Sequence, residues 1–131
     1  MMSYRALLIA GVIAGAILGS FPALAAEWKP FSQEALAEAQ KEGKPILVDI
    51  FAAWCPTCRA QKPILEKITA EPRFKDLVVL VVDFDSQKAD VRALKAQSQS
   101  TLIVYKGPTE LGRSAGDTNP NTIAALLSIA L

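Results

Sequence analysis

Apolar residues along the chain fall into two kinds of pattern, and each pattern predicts a type of secondary structure. The runs 46–51 (ILVDIF) and 77–82 (LVVLVV) are almost continuously apolar and rich in β-branched residues. This is typical of strands that are buried on both faces of a parallel sheet. A third run, 101–105, leads through a Gly-Pro turn into 110–114 and predicts a hairpin.

Helical periodicity occupies the segments around these strands. Ser32 can cap a helix that ends near residue 42. Segments 59–70 and 88–96 predict two further helices, and Asn119 can cap a last one. A strand-helix-strand unit requires parallel pairing and a right-handed crossover. The order therefore predicts an α/β fold with a central mixed β-sheet flanked by helices on both faces.

The start of the chain has a different pattern from the rest. Arg5 supplies a positive charge, residues 6–18 form an unbroken apolar run, and residues 23–25 (ALA) have the form of a signal peptidase site. The apolar run is shorter than the roughly 20 residues that span a bilayer, so an uncleaved membrane anchor fits less well. We therefore predict a cleaved secretory signal peptide over residues 1–25 and one domain over residues 26–131.

Composition narrows the possible chemistry. The chain has 131 residues, 51% of them hydrophobic, and its charged residues are scattered and sum to +1. This balance gives no indication of a nucleic-acid partner. Histidine is absent from the sequence, which removes imidazole metal ligands and the Ser-His and Cys-His nucleophile pairs.

The two cysteines, Cys55 and Cys58, lie between a predicted strand and a predicted helix. A disulfide that closes so short a loop stabilises a fold by only about 2 kcal/mol, and a structural zinc site needs four ligands. A redox pair also accounts for the residues around the two cysteines, because unpaired N–H groups at a helix N-terminus stabilise a thiolate, and Arg59 and Lys62 add positive charge. We therefore expect Cys55 to be an exposed, low-pKa nucleophile and the more buried Cys58 to resolve the mixed disulfide.

Several features together resemble secreted bacterial proteins of the thioredoxin family. They are the buried strand 46–51, the segment 54–58 (WCPTC), Pro63 in the following helix, and Gly107 and Gly116 near the final hairpin. Lys44 to Asp49 and the helix before them are also similar to the C-terminal thioredoxin-like domain of membrane thiol-disulfide interchange proteins. The resemblance implies a thioredoxin fold, a periplasmic location and thiol-disulfide oxidoreductase activity.

The same resemblance implies roles for individual residues. Cys55 and Cys58 would alternate between a dithiol and a redox-active disulfide, with no other cofactor and no metal. Asp49 takes the place of the acid that thioredoxins keep behind the resolving cysteine, where burial would raise its pKa and allow it to accept a proton. The alternative for Asp49 is a carboxyl held by local hydrogen bonds without a catalytic part. The residues implied to contact the substrate are Trp54, Pro56, Thr57, Ser100 and Thr101.

Two positions depart from the family pattern. Ser100 stands where thioredoxins have a cis-proline that faces the disulfide, so we expect a trans peptide bond before Ser100 and a different path of the loop. The N–H and hydroxyl of Ser100 would then be available to hydrogen-bond a thiolate. Val81 takes the place of a lysine that often partners the buried acid, so Asp49 would lack that counter-charge.

Three functions stay open on this evidence. The first is a periplasmic oxidoreductase, more a reductase than an oxidant, that acts on exported cysteine-containing proteins and receives electrons from a membrane donor. The second is a metal or iron-sulfur binding module in which two chains share the sulfurs of Cys55 and Cys58. The third is a noncatalytic interaction domain that retains the motif.

Overall fold

A computed structural model describes residues 24–131 together with Gly15 and Gly19. Residues 1–23, which hold nearly all of the predicted signal peptide, otherwise lie outside the described residues. Among the helices of the described part, none is long and apolar enough to cross a membrane.

The chain from residue 24 onwards folds into one mixed sheet with helices on both faces. Its elements are β1 Glu27–Pro30, α1 Gln33–Lys41, β2 Pro45–Phe51, α2 Pro56–Thr69, β3 Val78–Asp83, α3 Lys88–Ala93, β4 Thr101–Lys106, β5 Thr109–Ala115 and α4 Pro120–Ser128. The strand order is β1-β3-β2-β4-β5. β3 runs parallel to β1 and β2, whereas β4 is antiparallel to β2 and β5. The predicted α/β architecture is confirmed.

Two apolar clusters lie on opposite faces of the sheet and explain its sequence pattern. Ile46, Val48 and Ile50 of β2 pack in the cluster that includes residues of α1 and α3, while Leu47 packs in the cluster that includes residues of α2 and α4. Successive side chains of a strand point to opposite faces, so β2 needs apolar residues at nearly every position. Asp49 is on the same face as Leu47 and therefore on the side of α2.

The structure also has two elements that the sequence pattern did not predict. β1 is a four-residue edge strand that pairs with β3, and a short 3-10 helix, Pro72–Phe74, connects α2 to β3. β1 is too short and too polar at its ends to show a strand period. A long-range hydrogen bond helps to place it, because the indole of Trp28 donates to Thr69 Oγ1 at 3.1 Å.

Candidate functional site

The loop between β2 and α2 places Cys55 at the N-terminus of α2. Cys55 is the N-cap residue, and its Sγ accepts a hydrogen bond from the backbone N–H of Cys58 at 3.4 Å. Pro56 is the first helical residue, where its missing N–H costs no hydrogen bond. Both cysteines are free thiols, one turn apart on the same helix end. The predicted placement of the pair at a helix N-terminus is confirmed.

The predicted exposure of Cys55 is wrong. Only 3% of its surface is accessible, compared with 1% for Cys58. The two cysteines form a small apolar cluster with Ala52, against which Phe51 and Phe84 pack. The loop before α2 therefore turns the Cys55 side chain inward, and a substrate disulfide meets little of this residue in the described conformation.

Hydrogen bonds give Cys55 the lower pKa of the two thiols. The hydroxyl of Ser100 lies 3.4 Å from Cys55 Sγ, and this contact is the largest influence that lowers the pKa of Cys55, to about 6. The N–H of Cys58 is the second. Hydrogen bonding to the charged form favours that form. The positive charges of Arg59 and Lys62, which the sequence suggested as contributors, belong to exposed side chains.

The pKa of Cys58 is shifted in the opposite direction. Its burial raises its pKa above the ordinary value for a thiol, although a hydrogen bond with Ser100 acts in the other direction. Cys58 Sγ lies 3.1 Å from Ser100 Oγ and 4.0 Å from the backbone oxygen of Ile50. The order of the two pKa values fits an attacking Cys55 and a resolving Cys58.

Ser100 is fixed in a backbone conformation that proline cannot adopt. The residues that the structure describes contain no cis peptide bond, so the expected trans bond before Ser100 is confirmed, and Ser100 has a φ of 62°. Its N–H donates to the oxygen of Ile50 at 2.8 Å, and its own carbonyl accepts from the N–H of Gly116 at 2.9 Å. Proline has a φ near −65° and no N–H.

We therefore expect Ser100→Pro to destabilise the protein rather than to restore the usual loop of the family. The change removes a buried hydrogen bond and forces a new backbone path, which together cost roughly 2 to 4 kcal/mol. Urea unfolding of the variant and its parent measures the difference. Equal stability would show that the loop adapts to proline without loss.

Gln61 is a buried polar residue that sequence reasoning missed. It is 1% exposed, and its Nε2 donates to the backbone oxygens of Ser100 at 3.2 Å and Asp117 at 2.7 Å. Its Oε1 is buried and has no hydrogen-bond partner among the described residues. The sequence feature that could have revealed it is its spacing. Gln61 precedes Leu65 by four residues and Ile68 by seven, so it lies on the same buried face of α2 as these two core residues. Gln61 ties α2 to the loop that carries Ser100.

Asp49 is buried on the α2 side of β2 in an almost apolar environment. It is 4% exposed, and burial raises its pKa to about 7, while the positive charge of Lys62 acts to lower it. Val81 is its neighbour on β3, as the departure from the family pattern implied. Asp49 therefore lacks the lysine that often partners the acid at this strand position, and the exposed Lys62 of α2 is the positive charge that acts on it instead. A cavity of about 170 Å³ is lined by Trp28, Asp49, Phe51, Lys62 and Val81.

The five residues expected to contact a substrate differ in their exposure. Trp54 is 56% exposed, and its indole donates to Asp85 Oδ2 at 2.7 Å. Pro56 is exposed and Thr57 is half-buried, so these three residues form the surface around the cysteines. Ser100 and Thr101 are buried, and the Thr101 hydroxyl donates to the backbone oxygen of Ser98 at 2.8 Å.

A metal site would need ligands from elsewhere. Within residues 24–131, no group of three or more Cys, Asp or Glu side chains is placed to hold a metal ion. The two sulfurs would have to share a metal or cluster with a second chain.

Comparisons with known proteins agree with this geometry. The family model described as Thioredoxin matches residues 27–128. The chain is 34% identical over 97 residues to a thioredoxin of Chlamydia trachomatis, and the match covers 74% of this chain and 92% of that protein. It is 38% identical over 73 residues to a thioredoxin of Mycobacterium tuberculosis, covering 56% and 62% of the two chains. The crystal structure of Trxlp from Edwardsiella tarda superposes with a TM-score of 0.75 at 40% identity, covering 77% of this chain and 98% of that one.

Proposed function

The chain belongs to the thioredoxin family and is a thiol-disulfide oxidoreductase with the thioredoxin fold, and from this premise we propose that it acts in the periplasm as a reductase of exported proteins. The observation that carries the proposal is the Cys55 sulfur at the N-cap of α2, where two hydrogen bonds lower its pKa to about 6. A thiolate is the species that attacks a disulfide.

The first step is attack by Cys55. Its thiolate forms a bond with one sulfur of the substrate disulfide, the substrate S–S bond breaks, and the second substrate sulfur leaves as a thiolate that takes a proton from solvent. The product is a mixed disulfide between Cys55 and the substrate. At pH 7 a thiol with a pKa of about 6 is mostly ionised, so this step needs no separate base.

The second step is attack by Cys58. Cys58 loses its proton and attacks Cys55 Sγ, the Cys55–Cys58 disulfide forms, and the remaining substrate sulfur leaves as a thiolate that solvent protonates. We propose that the Asp49 carboxylate accepts the Cys58 proton, because Cys58 packs against the strand that carries Asp49 and a pKa of about 7 suits proton transfer near neutral pH. The substrate is reduced by two electrons and the two cysteines are oxidised.

The pKa of Cys55 also bears on the direction of electron flow. A lower thiol pKa stabilises the reduced form and makes the disulfide a stronger oxidant. Thioredoxin has a thiol pKa of about 7 and a reduction potential near −270 mV, whereas DsbA has a thiol pKa of about 3.5 and a reduction potential near −120 mV. A Cys55 pKa of about 6 lies closer to the first of these. A reductase also needs a donor, and the resemblance that residues 44–49 and the helix before them bear to membrane interchange proteins leads us to propose a membrane partner that reduces the Cys55–Cys58 disulfide.

We expect a reduction potential between those two values and nearer to that of thioredoxin, roughly −270 to −200 mV. Equilibration of the protein in glutathione or dithiothreitol buffers, followed by alkylation of the remaining thiols, measures it. The reduced protein should also reduce insulin. A potential near that of DsbA, or a failure to reduce insulin, would contradict the reductase proposal.

The periplasmic location has its own support and its own test. The support is the charged, apolar and Ala-x-Ala pattern of residues 1–25. Expression of the full chain in a Gram-negative host, with mass spectrometry of the periplasmic fraction, should find a mature protein that begins at Ala26. A full-length protein in the cytoplasmic or membrane fraction would contradict it.

The alternative is a metal or iron-sulfur module in which two chains share the sulfurs. The burial of Cys58 argues against it, because a shared metal would need both sulfurs at the surface, whereas exchange with a substrate requires only Cys55 to be reached. The purified protein is therefore expected to be colourless and free of stoichiometric metal. Colour or bound iron that disappears in Cys55→Ser would favour the module.

A further inference from the structure

Ser100 places one hydroxyl group between the two reactive sulfurs. Its Oγ lies 3.4 Å from Cys55 Sγ and 3.1 Å from Cys58 Sγ, and the residue is 3% exposed. A hydroxyl has one proton to donate and two lone pairs to accept with, and it can rotate to suit its partners. It can therefore donate to either sulfur but to only one of them at a time.

Three hydrogen bonds hold the backbone of Ser100, so its side-chain Oγ stays close to the two sulfurs. The N–H of Ser100 bonds to Ile50 of β2, and its carbonyl accepts from both Gly116 and the buried amide of Gln61 on α2. The same Gln61 amide also bonds to Asp117, which fixes the adjacent loop. A non-glycine residue at a φ of 62° is uncommon and persists when its surroundings hold it there.

We propose that the Ser100 hydroxyl is a reversible hydrogen-bond donor that stabilises the Cys55 thiolate in the first step and the Cys58 thiolate in the second. This inference rests on the proposed exchange reaction and adds a residue to it. In the reduced protein, the Ser100 O–H donates to the Cys55 thiolate, and the Cys58 S–H can donate to Ser100 Oγ. Each sulfur is thus in the protonation state that the first step requires.

The donor changes partner when the mixed disulfide forms. Cys55 then has no negative charge, so the Ser100 O–H is free to rotate towards Cys58 at 3.1 Å. The Cys58 proton leaves to Asp49 or to solvent, and the resulting thiolate accepts the hydrogen bond while it attacks Cys55 Sγ. Ser100 keeps its own proton throughout, so it changes the energies of the two thiolates and not the balance of the reaction. The charged and titratable groups on the elements packed around it include the two thiols, Asp49 of β2, Arg59 and Lys62 of α2, and Asp117 of the loop that Gln61 joins to Ser100.

Ser100→Ala tests the proposal, because it removes the oxygen and leaves the backbone path available. Ser100→Gly is the second variant, since glycine accepts a positive φ without strain and keeps the test valid if alanine weakens the fold. Ser114→Ala is the matched control, because the Ser114 hydroxyl is also buried but has no hydrogen-bond partner among the described residues. Circular dichroism compares the folding of all four proteins.

The first measurement is the ultraviolet titration of thiolates in the reduced proteins. A hydrogen bond to a charged group is strong enough that its loss should lower the acid dissociation constant of Cys55 at least about tenfold. We expect this in Ser100→Ala and Ser100→Gly and no change in Ser114→Ala. An unchanged titration in both Ser100 variants would overturn the proposal.

The second measurement separates the two steps with Ellman's reagent in stopped flow. The reaction of Cys55 releases a first coloured thiolate, and the attack of Cys58 on the mixed disulfide releases a second. At a pH below both pKa values, each phase should slow about threefold or more in the Ser100 variants, because a tenfold loss of thiolate is partly offset by its greater nucleophilicity. If the first phase slows and the second keeps the parent rate, the hydroxyl serves Cys55 alone and the proposal is wrong. Failure of the parent to reduce insulin would instead contradict the proposed function, while the titration would still report on Ser100.

Discussion

Cys55→Ser is expected to lower the rate of disulfide exchange by at least about a thousandfold, because a hydroxyl at the N-cap is not ionised at neutral pH and cannot replace the thiolate as a nucleophile. Cys58→Ser is expected to behave differently. It retains the attacking sulfur and should accumulate a covalent mixed disulfide with the substrate, because the second step is lost.

Insulin reduction by the two single variants measures the first effect, and mass spectrometry after a brief reaction detects the mixed disulfide. Alkylation of each variant across the pH range assigns the two thiols. Cys55, as the only cysteine of Cys58→Ser, should react at lower pH than Cys58 in Cys55→Ser. If Cys58 is instead the faster and more acidic thiol, or if Cys55→Ser traps the substrate, the assignment of the two roles is reversed.

Asp49→Asn is expected to stabilise the protein strongly above neutral pH. The pKa of Asp49 is raised from 3.8 to about 7 in the folded protein. Between these values the folded protein binds a proton that the unfolded chain does not, so the stability of the parent falls as the pH rises. The loss is complete above the folded pKa and amounts to about 4 kcal/mol, at 1.36 kcal/mol for each pKa unit. Asparagine has no charge to bury and should show no such loss.

Urea unfolding at pH 5 and pH 8 measures the part of this loss that falls between the two pH values, about 3 kcal/mol for the parent, because the loss begins near the unfolded pKa and ends near the folded pKa of about 7. The disulfide form of each protein should be used, so that the thiols do not titrate. Asp76→Asn is the control, since Asp76 is exposed and the change should leave the pH profile of the parent intact. The same Asp49 variant should slow the second step of exchange near neutral pH. Parallel pH profiles for the parent and Asp49→Asn would refute the raised pKa.

The strands and helices of this fold could be predicted because each one carries its own local pattern. β2 and β3 have apolar residues on both faces, and Ser32 caps α1 with a hydrogen bond from the N–H of Ala35. β1 lacked such a pattern. Its place at the edge of the sheet comes from pairing with β3 and from the bond between Trp28 and Thr69, which are distant in sequence.

The candidate site was predictable in its residue types and less so in its contacts. The spacing of Cys55 and Cys58 before a helix is a local feature, and it placed both at the N-terminus of α2. The burial of Cys55 is not local, because it depends on how Ser100 and Phe84 approach from other parts of the chain. The influence of Lys62 on Asp49 likewise needs two elements to be packed together before it can be recognised.

The backbone of Ser100 has a consequence for the evolution of this site. A change from serine to proline would not fit a φ of 62° and would remove the N–H that bonds to Ile50, so this substitution is disfavoured by stability alone. Glycine tolerates both signs of φ and retains an N–H. A change to glycine would therefore keep the loop, but it would leave the site with neither a proline ring nor a serine hydroxyl beside its sulfurs.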